Sequence, residues 1–268
     1  MKIAVTGHNG NVGKRLIAYG YDKLVCDVRV EREVERAITS QKPDIIIHLA
    51  AKSDIDFCEK LENQEVVSQT HLRGSANVFK WANKVGAKVI SVSTDHVFSG
   101  NGFGKYTETS KPNPKNYYGL TKVASDALAK AYDNVNIVRT STLFWEDRPM
   151  VKGMMDFVSN GNVAHVPTFM WRSFLHIDQF AFQLVSYCNQ LSNHSMPKIL
   201  NLSGSKVVSW YRFFKEYADY IGLDSSKIQP RYFESEGKFT PRPHRAGLDV
   251  TFSKVRAIPQ YNYRDGFQ

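Results

Sequence analysis

A tyrosine and a lysine four residues apart, Tyr118 and Lys122, are the residues of this chain best suited to proton chemistry. That spacing puts both side chains on one face of a helix. An ammonium beside a phenol favours the phenolate and lowers the phenol pKa. The tyrosine can then act as a general acid near neutral pH, protonating a carbonyl oxygen as hydride reaches its carbon. Such a pair also arises on ordinary helices, as an exposed ring beside a solvated lysine, and Tyr117 stands next to it. The run Ser91-Val92-Ser93-Thr94-Asp95-His96-Val97-Phe98 sharpens the signal, because it closes a strand-like segment and Thr94 offers a hydroxyl to hold that carbonyl. Turn chemistry at a strand end is the plainer role for Thr94.

The second signal is Gly7-His8-Asn9-Gly10-Asn11-Val12-Gly13, a G-x-x-G-x-x-G loop between a first strand and a helix. Gly7 permits the tight turn, Gly10 lets backbone approach a pyrophosphate at the helix N-terminus, and Gly13 allows close helix–strand packing. Asn9, Asn11 and Val12 complete this candidate cofactor loop, although a turn without ligand produces the same triplet. At the end of the second strand an acidic side chain binds a ribose diol and a basic one accepts a 2′-phosphate. Asp27, Val28 and Arg29 stand there, so the signals for NAD(H) and NADP(H) compete.

The elements that must position these residues alternate. Strand character at Lys2–Thr6, Lys23–Cys26, Ile45–Leu49, Lys88–Ser93 and Val135–Arg139 alternates with helical character at Val12–Tyr19, Val30–Ser40, Glu65–Val85 and Tyr117–Tyr132. Val66, Val67, Val78, Phe79 and Ala82 are the candidate core of the third helix. Alternation of this kind predicts an α/β fold, a Rossmann-type doubly wound parallel sheet covered on both faces. After about residue 145 prolines punctuate shorter elements, with helices expected at Asp178–Gln190 and Ser209–Ile221. Residues 1–145 are therefore expected to form the dinucleotide-binding domain and 146–268 a smaller α/β substrate lobe, with a soft boundary that the chain can cross more than once.

Composition narrows the classes. The 268 residues, 42% hydrophobic, suffice for one large α/β domain and a lobe. No stretch has the roughly 18–20 apolar residues of a membrane span. Met1–Thr6 turns polar too early for a secretory signal, and Cys26, Cys58 and Cys188 suggest neither a disulfide framework nor a metal site. A reducing cytoplasm fits. The net charge of +9 comes from scattered lysines and arginines without a nucleic-acid motif. Small phosphate-bearing ligands suit it better than nucleic acid or membrane.

With these motifs in order, the chain resembles the extended short-chain dehydrogenase/reductase family, and within it the dTDP-4-dehydrorhamnose reductase subgroup. Ser93–Phe98 is similar to S-T-D-Y-V-F, and Pro114–Lys122 to P-L-N-V-Y-G-x-[ST]-K. Arg139-Thr140-Ser141, the Pro43–Ala51 strand and Arg242–Leu248 resemble the subgroup's R-T-S, P-D-V-V-I-N-x-A-A and R-P-x-N-S-x-L. The resemblance implies Thr94, Tyr118 and Lys122 as catalytic residues, with Gly7, Gly10 and Gly13 on the pyrophosphate. It also implies Ala50, Ala51 and Lys52 on the nicotinamide side, Asp95 and His96 toward the sugar, and Arg242 near the nucleotide-sugar. The chain departs from the pattern at His96, where tyrosine is usual, and at His71, where asparagine is usual. Arg172–Asp178 looks more like the R-x-F-[IV]-H-V-D of nucleotide-sugar epimerases and dehydratases, where Arg172 would contact a diphosphate; lobe packing is its plainer role. The expected activity is NAD(P)H-dependent reduction of the keto group of a nucleotide-linked 4-keto-6-deoxysugar. The alternatives are an epimerase or dehydratase with bound NAD and a non-catalytic dinucleotide-binding regulatory subunit. The expected partners are a nucleotide-sugar substrate and a second copy of the chain in a homodimer, with no nucleic acid and no membrane.

Overall fold

The computed structural model describes residues 1–102, 104–232 and 240–267. Six parallel strands form the central sheet: β1 (Ile3–Thr6), β2 (Asp22–Lys23), β3 (Ile45–His48), β4 (Lys88–Thr94), β5 (Val135–Thr140) and β6 (Ile199–Asn201), in the order β6-β5-β4-β3-β1-β2. The order reverses between β1 and β3, and ligands of such sheets bind beyond the strand ends at that point.

Every residue of β1, β3 and β5 is buried, as expected where helices cover both sheet faces. Successive side chains divide between two cores. Ala4, Ile46, Val89 and Ile137 face α2 (Glu31–Gln41), α3 (Gly74–Val85) and α4 (Tyr117–Lys130) through Val34, Ile38, Phe79 and Ala129. Ile3, Val5, Ile45, Ile47, Ile90 and Val138 face the opposite way, onto Leu16 of α1 (Asn11–Ala18) and onto a later helix, Ile177–Asn193. That helix and β6 both come from beyond residue 146, so the chain returns to the first sheet after entering the lobe.

The lobe has its own aromatic core. The helices α5 (Pro149–Ser159) and α7 (Trp210–Tyr220), with Ile177–Asn193 counted as α6 between them, border this region, and parallel pairing joins 164–167 to 228–231. Phe174 stacks on Phe213 at 4.0 Å, and Phe144, Phe214, Tyr217 and Phe267 close around them.

Two expected elements differ. The second strand is shorter than Lys23–Cys26, because the chain leaves the sheet there: Val28 packs against Gly74 and its carbonyl accepts from Asn77 (2.9 Å). The helix expected over Glu65–Val85 is three successive pieces, Leu61–Ser68, a π-turn at Gln69–Arg73, and α3. Of its candidate core residues Val67, Val78, Phe79 and Ala82 are fully buried and Val66 is half-buried.

Candidate active site

The glycine loop sits at the sheet's switch point. Gly7 has φ +64°, and a Cβ there would lie 2.8 Å from the Ala50 nitrogen, so the loops after β1 and β3 approach each other closely. A Cβ on Gly13 would meet the Gly7 oxygen at 2.4 Å. A Cβ on Gly10 would meet only that oxygen, at 3.2 Å, and otherwise open space. Gly10 caps α1, whose first turn carries no acidic residue and no side-chain cap. A phosphate group fits this cradle: its charge would complete the exposed positive end of α1.

Two clefts share this loop. One, of about 360 Å³, is lined by Gly7, Asn9, Gly10, Asp27, Val28, Arg29, Ala50, Ala51 and Lys52, with His8, Cys26, Leu49 and Thr70. The other, of about 710 Å³, is lined by Asn11, Val12 and Gly13 at the loop, by Thr94, Asp95, His96, Tyr118 and Lys122, and by Arg172 and Arg242. Gly7, Gly10, Leu49 and Ala51 belong to both linings. Every site residue named from the sequence therefore borders one cleft or the other.

In the first cleft Arg29 grips Asp27 in a bidentate pair, Nη2 to Oδ2 at 2.6 Å and Nε to Oδ1 at 3.0 Å, and holds its carboxyl below the usual range. In the second, Thr94 ends β4 and Tyr118 begins α4, whose N-cap is Asn116 (its Oδ1 accepts from Gly119 N–H at 2.8 Å). Tyr118 and Thr94 line the cleft together, and Thr94 lies near enough to the phenol to favour its phenolate. The phenol pKa, expected to be lowered by Lys122, is instead raised, because burial outweighs the opposing effect of Thr94. The Lys122 ammonium donates to the Val92 carbonyl (2.8 Å), and burial pushes its own pKa down.

His96 and His71 are buried and neutral. Asn116 uses Oδ1 on the helix cap and Nδ2 on the Pro241 carbonyl (2.9 Å), so the same Nδ2, 3.2 Å from His96 Nδ1, is a donor. His96 Nδ1 is then an acceptor and its proton sits on Nε2. Burial and the nearby Arg172 and Arg242 keep its pKa well below the usual value. His71, on the π-turn, accepts from the Lys52 backbone N–H at Nε2 (2.9 Å) and so donates through Nδ1 to Thr121 (2.8 Å). It thereby ties the loop after β3 to the helix that carries Tyr118, whose ring it meets edge-on at 5.8 Å.

Asp95 accepts from Ser141 (2.7 Å) and Thr94 (3.2 Å) and pairs with Arg172 at 3.4 Å. Arg172 also donates to the carbonyls of Trp171, Pro243 and His244, so it bonds the lobe internally. Arg242 is bound by both oxygens of Asp56 at 2.9 Å. Trp145, Arg148, Met150 and Trp210 line the same cleft. They escaped sequence reasoning because they lie on loops and helix starts that no motif spans.

A switch-point glycine loop joined to a Thr–Tyr–Lys set defines the class: the chain is an NAD(P)-dependent oxidoreductase of the extended short-chain dehydrogenase/reductase type. Residues 1–268 match the RmlD substrate binding domain, and the chain belongs to that family. It is similar to the spore coat polysaccharide biosynthesis protein SpsK of Bacillus subtilis, 26% identical with 100% of this chain and 95% of that protein covered. It is 30% identical to methionine adenosyltransferase 2 subunit beta of Xenopus laevis, over 86% of this chain and 70% of that protein. Among solved structures, dTDP-4-dehydrorhamnose reductase from Bacillus anthracis in complex with NADP superposes with a TM-score of 0.86 at 25% identity, covering 100% of this chain and 96% of that one. Among the described residues, no helix is long and apolar enough to cross a membrane.

Proposed function

We propose that the chain reduces the keto group of a nucleotide-linked 4-keto-6-deoxysugar, as the name of its Bacillus anthracis structural relative states for that protein. The observation that carries this reading is that Thr94, Tyr118 and Lys122 line one cleft, which shares Gly7 and Gly10 with the glycine loop. A bound nicotinamide dinucleotide would supply the hydride. Gly7, Gly10 and Gly13, with Asn9, Asn11 and Val12, would hold its pyrophosphate. Asp27, Val28 and Arg29 would border its adenosine half, and Ala50, Ala51 and Lys52 its path toward the chemistry. Thr94 orients the carbonyl oxygen and Tyr118 protonates it. Burial keeps the Tyr118 phenol protonated, so the proton is in place, while the raised pKa makes it a weaker acid than its spacing to Lys122 implies. Lys122 steadies the site from the Val92 carbonyl and reaches toward the ribose. Asp95 and His96 face the sugar, His96 through its Nε2–H donor.

The likeness to a methionine adenosyltransferase subunit supports a second reading, a dinucleotide-binding regulatory subunit without turnover. Absorbance at the nicotinamide band with dTDP-4-keto-6-deoxysugars separates the two. Wild type should turn over, and Tyr118→Phe should lose about 10²–10⁴ in turnover while keeping its melting temperature and cofactor affinity. Lys122→Met should lose turnover and bind cofactor less well, and Thr94→Val should lose less than Tyr118→Phe. Equal turnover in wild type and Tyr118→Phe would sink the mechanism. Tight cofactor binding without turnover of any nucleotide-sugar would favour the regulatory reading.

A further inference from the structure

Three arginines line the larger cleft, and two are already taken. Arg172 is held by Asp95 and three backbone carbonyls, and Arg242 by the Asp56 carboxylate. Arg148 differs. Among the described residues no carboxylate pairs with it, and its Nη1 donates to the Leu143 carbonyl. Its guanidinium lies 5.6 Å from the centre of the Trp145 ring. Burial pushes its pKa down to about 10, with only the more distant charge of Asp95, itself paired with Arg172, opposing the shift.

A desolvated cation without a counter-ion is unfavourable, and an anion that enters beside it relieves that cost. The backbone adds to the same field. α5 begins at Pro149 with no acidic residue in its first turn and no side-chain cap, and Pro149 and Met150 line the same cleft as Arg148. We infer that Arg148 binds the diphosphate of the nucleotide-linked substrate in this cleft. The inference rests on the reading of the substrate as a nucleotide-sugar. A guanidinium fork presents paired N–H donors that match two phosphate oxygens. The plane of Trp145 fixes that fork from one side, and Arg15, paired with Asp178 at 2.6 Å, lies over the same ring at 5.7 Å.

The test is calorimetric titration of dTDP and UDP, and of thymidine and uridine, into the full chain saturated with NADP⁺, which blocks the cofactor cleft. Wild type should bind the diphosphates more tightly than the nucleosides. Arg148→Gln keeps a donor for the Leu143 carbonyl and loses the charge. It should weaken dTDP and UDP by about tenfold or more, leaving the nucleosides within about twofold, and Arg148→Lys should fall between. Diphosphate affinity in a folded Arg148→Gln within about twofold of wild type would overturn the assignment. If that variant does not fold, phenylglyoxal labelling of the wild type, mapped by peptide mass, gives the same answer. Arg148 should be protected by dTDP and not by thymidine, and equal labelling would overturn the inference. Wild type that binds neither diphosphate would remove the nucleotide-sugar reading itself. Wild type that binds and reduces a nucleotide-sugar, with Arg148→Gln unaffected, would remove only the role of Arg148.

Discussion

Single residues in this cleft act through the charges they meet. Arg29 and Asp27 pair with one another, so neither presents a bare charge to an adenosine ribose. Neutralising Asp27 removes a carboxylate that would repel a 2′-phosphate, and Arg29, 40% exposed at its side chain, keeps donors toward solvent. NADPH is therefore expected to bind at least as well as NADH, and Arg29→Ala should shift the preference toward NADH. Titrating both cofactors into both proteins checks this; an unchanged ratio would make Arg29 ordinary surface charge. Tyr118 follows the same logic of surroundings. Its neighbours on α4 suggest a lowered phenol, yet burial decides the direction, and the Lys122 ammonium donates its hydrogen bond to the Val92 carbonyl.

At the scale of elements, the glycine loop separates binding from folding. The Cβ of Gly10 has room except toward the Gly7 oxygen, so Gly10→Val should fold and fill the phosphate cradle. Dinucleotide affinity should fall severely with little change in melting temperature. Gly13→Ala should do the reverse, since its Cβ would strike the Gly7 oxygen at 2.4 Å and the His8 Cα at 2.7 Å, and overpacking of this kind costs about 1–3 kcal/mol. Melting curves and cofactor titrations on both variants read the contrast. Cofactor affinity near wild type in a folded Gly10→Val protein would falsify the phosphate-cradle role. The π-turn at Gln69–Arg73 has a comparable local effect: the extra residue in the turn lies where His71 bridges Lys52 and Thr121.

Across the whole molecule, buried neutral histidines join the elements into one polar network. His48, at the end of β3, meets Thr6 of β1 (2.8 Å) and Ser75 of α3 (3.2 Å), and Ser75 meets Ser125 of α4 (3.0 Å) and the His71 carbonyl. Burial holds both His48 and His71 at a pKa of about 3, with Lys122 adding to the effect. An unfolded histidine titrates near 6.5, so between these values the unfolded chain binds protons that the folded chain refuses. The stabilisation is complete above about pH 6.5 and lost progressively as pH falls toward 3. The melting temperature should drop steadily over that window, and His48→Asn should flatten part of the slope. A wild-type melting temperature that stays level from about pH 7 to 4 would contradict this account.

The order of strands and helices was legible because it rests on short-range physics. Ile45-Ile46-Ile47 is a strand wherever both faces are covered, and Gly7 with φ +64° is a turn that few other residues allow. The residues that such local geometry picks out, Gly7 to Gly13 and Thr94, Tyr118 and Lys122, line the two clefts that share the glycine loop. Contacts between distant segments could not be read in that way. The sixth strand comes from Ile199–Asn201, and the sequence offered no signal for it apart from the freedom of the chain to cross back. Arg172 and Arg148 look alike in sequence, yet one finds Asp95 and three carbonyls and the other finds no carboxylate among the described residues. The tautomer of His96 depends on Pro241, 125 positions from the Asn116 that fixes it. Burial and charge pairing are properties of packed neighbours, so local sequence determined which groups reach this cleft, while tertiary structure alone decided their protonation and which charge stays available.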